Sequence, residues 1–196
     1  MSGSFPNTTG FKTLDFQSNT NSRVSKSVSG KTQRIKAGNQ FWSLKVQSPN
    51  KDRPEFMSDY SFLIQQDGQV EAFTFVPPGI GSTRGTATGT ITLNATYGIG
   101  SSLVKGNGGS GTLKKGDIIK FSNHNKIYML TEDVNMDASS EDFIHFYPQL
   151  TTAVTNSTTV TYDNVPLTVY LDKDVIKFIT QADGTFKYEL VLNEEI

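Results

Sequence analysis

Hydrophobic and polar positions alternate most clearly in Gln40–Gln47. Trp42, Leu44 and Val46 point one way and Ser43, Lys45 and Gln47 the other, which predicts a strand with one buried face. Ser48-Pro49-Asn50 stops it. Asp52-Arg53-Pro54-Glu55 then predicts a helix start: Asp52 as cap, Glu55 three residues on, and Pro54 in the first turn, where a missing N–H costs little. Phe56, Met57, Tyr60, Leu63 and Ile64 follow on one helical face, and Asp67-Gly68 ends the run. Ala72–Val76 resumes a strand, which Pro77-Pro78-Gly79 stops. A lone amphipathic helix must bury its stripe, and the partner available here is a sheet.

The rest of the chain reads as β. Residues 1–21 are polar with isolated Phe5, Phe11, Leu14 and Phe16, and predict an extended arm anchored by those rings. Arg23–Val28 and Lys31–Ala37 flank Ser29-Gly30 and predict a hairpin, with Val24, Val28 and Ile35 as its buried contacts. Residues 79–90 and 98–112 are rich in Gly, Ser and Thr. Thr90–Ala95, Asp117–Phe121, Lys126–Thr131 and Phe143–Tyr147 are short strands with no helical run among them, which suggests a small barrel or sandwich. Alternation returns at Val165, Leu167, Val169 and Leu171; Asp174–Thr180 is apolar and β-rich. After the turn at Asp183-Gly184, Phe186, Tyr188, Leu190 and Leu192 alternate again. These late strands need a sheet, and the early ones supply it. The expected organisation is a discontinuous β domain from residues 1–81 and 154–196, interrupted by a barrel at 82–153.

Composition narrows the function. The 196 residues have a net charge of −1, which offers no electrostatic case for nucleic acid or an anionic membrane. The charge is uneven. Residues 1–84 hold ten Lys/Arg against six Asp/Glu, so +4, and residues 151–196 hold three against seven, so −4. No cysteine is present, which removes disulfides and thiolate chemistry. Met-Ser-Gly-Ser-Phe-Pro lacks a basic start and an apolar run, so no signal peptide is expected. No stretch approaches the ~18–20 apolar residues of a membrane span.

Candidate chemistry fails at defining positions. Gly106–Gly111 matches half a phosphate loop, but Thr112-Leu113 stands where Lys-Ser/Thr should follow. Asp133, Asn135 and Asp137 have calcium-loop spacing, but Ala138 replaces the glycine and Ile144 the final glutamate. His124, in a turn, and His145, in a strand, are the only histidines and do not suggest a zinc cluster. No Gly-x-Ser-x-Gly elbow presents a serine, and adjacent Glu141 and Asp142 would point to opposite faces of a strand. Residues 85–150 carry five Lys against six acidic residues, unlike a single-strand groove. Tyr97, Phe121, Tyr128, Phe143, Phe146 and Tyr147 read as core rather than as a binding platform. No catalytic, cofactor-binding or metal-binding residue is assigned, and the protein is not read as an enzyme.

The order of parts resembles a known family. Phe5-Pro6, Gly30–Arg34, Gly38–Trp42, the Pro54-led helix and Gly68–Phe75 look like the start of distal tail proteins of long-tailed bacteriophages. Leu113–Ser122, Lys126–Thr131 and Phe143–Leu150 resemble the barrel inserted in that family, with a Lys-x-Gly-Asp strand and a Tyr-Pro-x-Leu exit. The resemblance implies a mainly β fold: a β-sandwich domain with one flanking helix, carrying an oligonucleotide/oligosaccharide-binding-type barrel. It implies a structural virion protein that forms a hexameric ring at the distal tail end and joins the tail tube to the tip and receptor-binding parts. Its partners are then copies of itself, the tail tube protein and tail hub or tip proteins. Its place is the virion tail tip, after synthesis in the host cytoplasm. The rival reading is a carbohydrate-binding module whose barrel holds a host saccharide; the barrel's fold alone implies no ligand.

Overall fold

The computed structural model describes residues 3–6, 10–137 and 142–196. In chain order, β1 (Thr13–Asn19), β2 (Ser22–Lys26), β3 (Thr32–Lys36) and β4 (Phe41–Gln47) precede α1 (Arg53–Gln65) and β5 (Phe73–Phe75). Next come β6 (Ile91–Leu93), β7 (Leu103–Asn107), β8 (Gly111–Leu113), β9 (Ile118–Phe121), β10 (Ile127–Leu130) and β11 (Val134–Met136). Last are β12 (Asp142–Tyr147), β13 (Thr159–Thr161), β14 (Leu167–Leu171), β15 (Phe178–Thr180) and β16 (Phe186–Glu194).

The fold is mainly β with one helix. One sheet runs β1-β4-β16-β14-β5, with β15 added beside β16, and all its pairings are antiparallel. A closed antiparallel barrel runs β10-β12-β7-β6-β13-β9. β8 pairs with β11, and β2 with β3. Chain ends and chain middle are therefore separate sheets. Val165 N–H donates to the Gly81 carbonyl at 2.8 Å, so the strands leading into and out of the barrel lie side by side.

The strand periods decide what is buried. Trp42, Leu44 and Val46 from β4 share one core with Val165, Leu167 and Val169 and with Leu190 and Leu192 of β16. That core is closed by Phe56 and Leu63 of α1, by Phe5, and by Ile118 and Ile127 of the barrel wall. A second core fills the barrel, with Ile91, Val104, Ile119, Phe121, Tyr128, Ile144, Phe146 and Val160. Strands β9 and β10 thus serve both cores: alternate residues point into the barrel or onto the sheet, as the two-residue period requires.

Several expectations are corrected. The segment after residue 11 is not an arm: Thr13–Asn19 is an edge strand paired along its whole length with β4. The hairpin forms, but every residue of β2 and β3 is exposed, Val24 and Ile35 among them, and so is Val28, because no other element packs closely on it. The helix stripe is rotated. Phe56 and Leu63 are buried, but Met57 and Ile64 are exposed, and Asp59 takes the central inward position. Asp52 stands at the N-cap position without a side-chain cap bond. The stop is as expected: Asp67 and Gly68 have φ of 51° and 65°, a left-handed pair that breaks the helix. Asp174–Thr180 yields only the short exposed strand β15. Two barrel strands lie outside the expected set. β7 comes from the Gly/Ser/Thr-rich region, and β13 lies beyond residue 153.

Candidate functional site

The first feature is the exposed arm. Residues 20–38 contain Arg23, Lys26, Lys31, Arg34 and Lys36 and no acidic residue. The hairpin leaves the sheet where β1 ends and β4 begins. Strands β1 and β5 run in the same direction on opposite edges of the sheet. Just before β5 and just after β14 lie Asp67, Glu71, Asp172 and Asp174, with Lys173 among them. The two segments touch: Gln69 N–H donates to Asp174 Oδ1 at 3.1 Å. Exposed Ile64, Val70 and Val175 accompany these acids. The basic arm and the acidic loops therefore occupy diagonally opposite corners of one sheet.

The second feature is the joint between sheet and barrel. Glu194 follows Leu190 and Leu192 on the inward face of β16 and is 2% exposed. Its Oε1 accepts from Ile127 N–H at 2.8 Å, and its Oε2 from Trp42 N–H at 3.0 Å and from the buried Lys126 ammonium. Trp42 Nε1 donates back to the Ile127 carbonyl at 3.2 Å, and Phe16 stacks on the Trp42 ring at 4.6 Å. Burial pushes the Glu194 carboxyl up, against the pull of Lys126. Burial likewise pushes Lys126 down, against the pull of Glu194. Lys120 adds a lighter tie, donating to the Pro166 carbonyl at 3.2 Å, and burial lowers its pKa.

The third feature, a second buried cluster, pins the helix. Asp59 Oδ2 accepts from Lys51 Nζ and from the Tyr188 hydroxyl at 2.6 Å. Lys51 and Phe186 exchange backbone hydrogen bonds at 2.9 Å, and Phe56 stacks on Phe186 at 4.8 Å. Burial, then Asp59, raises the Tyr188 phenol well above its ordinary range. The sequence reading missed both Glu194 and Asp59. The signal was present: each continues the apolar period of its own element, and a charge on a buried face demands a partner.

The motifs weighed from the sequence have structural roles. Gly111 has φ of 92°, and a Cβ there would lie 2.3 Å from the Thr86 carbonyl oxygen, so this glycine lets residues 86–88 pack on the loop. Asp133 is held by Lys114 Nζ at 2.9 Å and Lys115 N–H at 2.8 Å. Asn135 sits in β11; Ala138 and Glu141 lie outside the described residues. His124 and His145 stand apart, and no three His, Asp or Glu side chains converge among the described residues. His124 shares hydrogen bonds with Asn123 and Tyr128, both at 2.8 Å. Burial, then Lys120 and Lys126, lowers its pKa to about 4. The Lys-x-Gly-Asp strand is a clamp. Gly116 turns with φ of 88°, and buried Asp117 accepts from Thr83 Oγ1 at 2.6 Å, Lys114 N–H at 3.0 Å and Arg84 Nε at 3.1 Å. Burial pulls its carboxyl up, but these donors outweigh it and hold the pKa below the usual value. Two aromatics depart from the core reading: Phe143 and Tyr147 are exposed, while Phe121, Tyr128 and Phe146 are buried.

These features define a class: a mainly β protein in which a closed barrel is clamped by buried charges to a sheet bearing a free basic arm. Residues 83–165 match the family model of the B domain of distal tail protein pb9. The match spans all the barrel strands and less than half of the 196 residues. The resemblance drawn from Leu113–Ser122, Lys126–Thr131 and Phe143–Leu150 is borne out over this stretch. No curated protein matches the chain. Among the described residues, no helix is long and apolar enough to cross a membrane.

Proposed function

We propose that the protein is a non-catalytic structural component of a phage tail tip, closing into a hexameric ring that joins the tail tube to tip and hub proteins. The barrel's match to a distal tail protein domain supports the place. The observation that carries the ring is the diagonal placement of complementary corners. Arg23, Lys26 and Lys31 stand with Val24 and Val28 on the arm; Asp67, Asp172 and Asp174 stand with Val70 and Val175 at the far corner. Two unlike surfaces on opposite sides of one subunit make a head-to-tail contact, which closes into a ring when the rotation allows. A stable contact buries ~1,200–2,000 Å². Its charged part should weaken as salt rises, since the Debye length is ~10 Å at 0.1 M, while the apolar part persists. Arg23→Glu with Lys31→Glu should reduce assembly in analytical ultracentrifugation, and Asp67→Lys with Asp174→Lys in the same chain should restore part of it. Absence of the protein from the tail-tip ring of intact particles, located by electron microscopy, sinks the reading.

We also propose that the chain divides into an outer unit from both ends and an inserted barrel running from about residue 82 through β13. The Gly81–Val165 backbone contact supports this, because it leaves almost no gap to span. Replacing residues 82–164 with a short Gly/Ser linker should leave a less stable sheet domain that still melts cooperatively. A deletion variant with no cooperative thermal transition counts against the division.

A further inference from the structure

The root of the arm and the barrel face each other across a cleft of about 500 Å³, within the size range of ligand sites. One wall is β3, where Arg34 and Lys36 are two residues apart and so lie on one face. The other wall is the end of β12 and the chain after it, with Tyr147 and Gln149; Ser22 and Ser102 complete the rim. Tyr147 is 42% exposed, and its hydroxyl meets Thr20 Oγ1 at 3.4 Å, which ties the two walls together. No acidic residue lines the cleft. Five cations elsewhere are matched with carboxylates: Lys45 with Glu189, Lys51 with Asp59, Arg84 with Asp117, Lys114 with Asp133 and Lys126 with Glu194. Among the described residues Arg34 and Lys36, like Arg23, Lys26 and Lys31 of the same arm, have no such partner, and they are the two that line the cleft.

We propose that this cleft binds an anionic saccharide or polyol, a chain of hydroxylated units bearing phosphate or carboxylate groups. Each part of the wall matches one feature of that ligand. The Arg34 guanidinium presents a fork that fits two oxygens of a phosphate or carboxylate, and Lys36 adds a point charge beside it. The Tyr147 ring offers a flat apolar face to the C–H side of a sugar or polyol. The Gln149 amide and the two serines supply donors and acceptors for hydroxyls. A neutral sugar would leave both cations unmatched, and a bare inorganic anion would leave the ring and the amide unused. Both walls belong to one chain, so binding by the single subunit does not depend on the ring. In an assembly the same cleft would recur on every copy and weak single-site binding would be multiplied.

The test is titration of the isotope-labelled full chain by NMR with four probes: oligoglycerol phosphate, oligogalacturonate, a neutral maltooligosaccharide and inorganic phosphate. At least one anionic oligomer should bind saturably below about 10 mM and move the amide signals of Tyr147, Gln149 and β3. The oligomer that binds more tightly identifies the anionic group. Tyr147→Ala should weaken binding about tenfold, and Arg34→Ala with Lys36→Ala should abolish it. Lys187→Ala, a cation outside the cleft, should leave it unchanged. The proposal is overturned if neither anionic oligomer saturates, if the Arg34/Lys36 double variant binds as the parent does, or if inorganic phosphate competes equally and Tyr147→Ala has no effect. The last result would mean a plain counterion patch. Backbone spectra of each variant, compared with the parent, establish that the fold is retained.

Discussion

Glu194→Leu should destabilise the protein by about 3–5 kcal/mol, because it strands the Lys126 ammonium in the joint between sheet and barrel. Lys126 is 1% exposed, so water cannot replace the lost carboxylate without opening the joint. Ile127 N–H and Trp42 N–H lose their acceptor as well, each worth roughly 1–3 kcal/mol when left buried and unpaired. Lys126→Met alone should also be costly, since it leaves Glu194 as the unpaired charge. The double variant should cost clearly less than the sum of the two, because an apolar pair removes both desolvation penalties. Urea melts of the four proteins give the coupling energy. Strict additivity would mean that the two side chains do not share a joint, and with it the fixed placement of the barrel would fall.

Asp59→Ala should have an effect of similar size, about 3–5 kcal/mol, for the same reason at a different place. It leaves Lys51 charged and 2% exposed beneath α1, and takes the acceptor from the Tyr188 hydroxyl. Tyr188→Phe should cost less, on the order of 1 kcal/mol, since it removes a donor and leaves the ion pair. The phenol also links stability to pH. Its folded pKa is raised by burial, then by Asp59, so its contribution is complete below the ordinary phenol range of about 10. As pH rises beyond that range the unfolded chain ionises while the folded one does not, and stability falls. Tyr188→Phe should flatten that alkaline loss. Glu55→Ala, at an exposed carboxylate in the first turn of the same helix, is the control. Equal denaturant midpoints for Asp59→Ala and Glu55→Ala would show that no buried pair holds the helix.

The sequence by itself determined the helix, the central strands of the sheet and most of both cores. A period of two in β4, β14 and β16 states which side of each strand loses water, and it survives whatever the partner is. The left-handed pair Asp67-Gly68 ends α1 for a reason local to the backbone. The clamp at Lys114–Asp117 is equally local in its turn, though its grip on Thr83 is not.

Only the tertiary structure decided where charges and rings could go. Glu194 and Lys126 are 68 positions apart, and their pairing is made only when the barrel wall meets β16. Asp59, outside the expected stripe, holds the central inward position because Lys51 and Tyr188 arrive beneath it. Met57 and Ile64 are then turned outward, because a helix packed on one sheet can bury only one stripe. Val24, Val28 and Ile35 are apolar in sequence yet exposed, since burial requires a second surface in close contact and the hairpin only faces the barrel across an open cleft at its root. Phe143 and Tyr147 differ from Phe146 only in the side of β12 they occupy. Closure of the barrel fixes which side is interior, and that closure depends on β7 and β13, whose pairings join residues far apart in the chain.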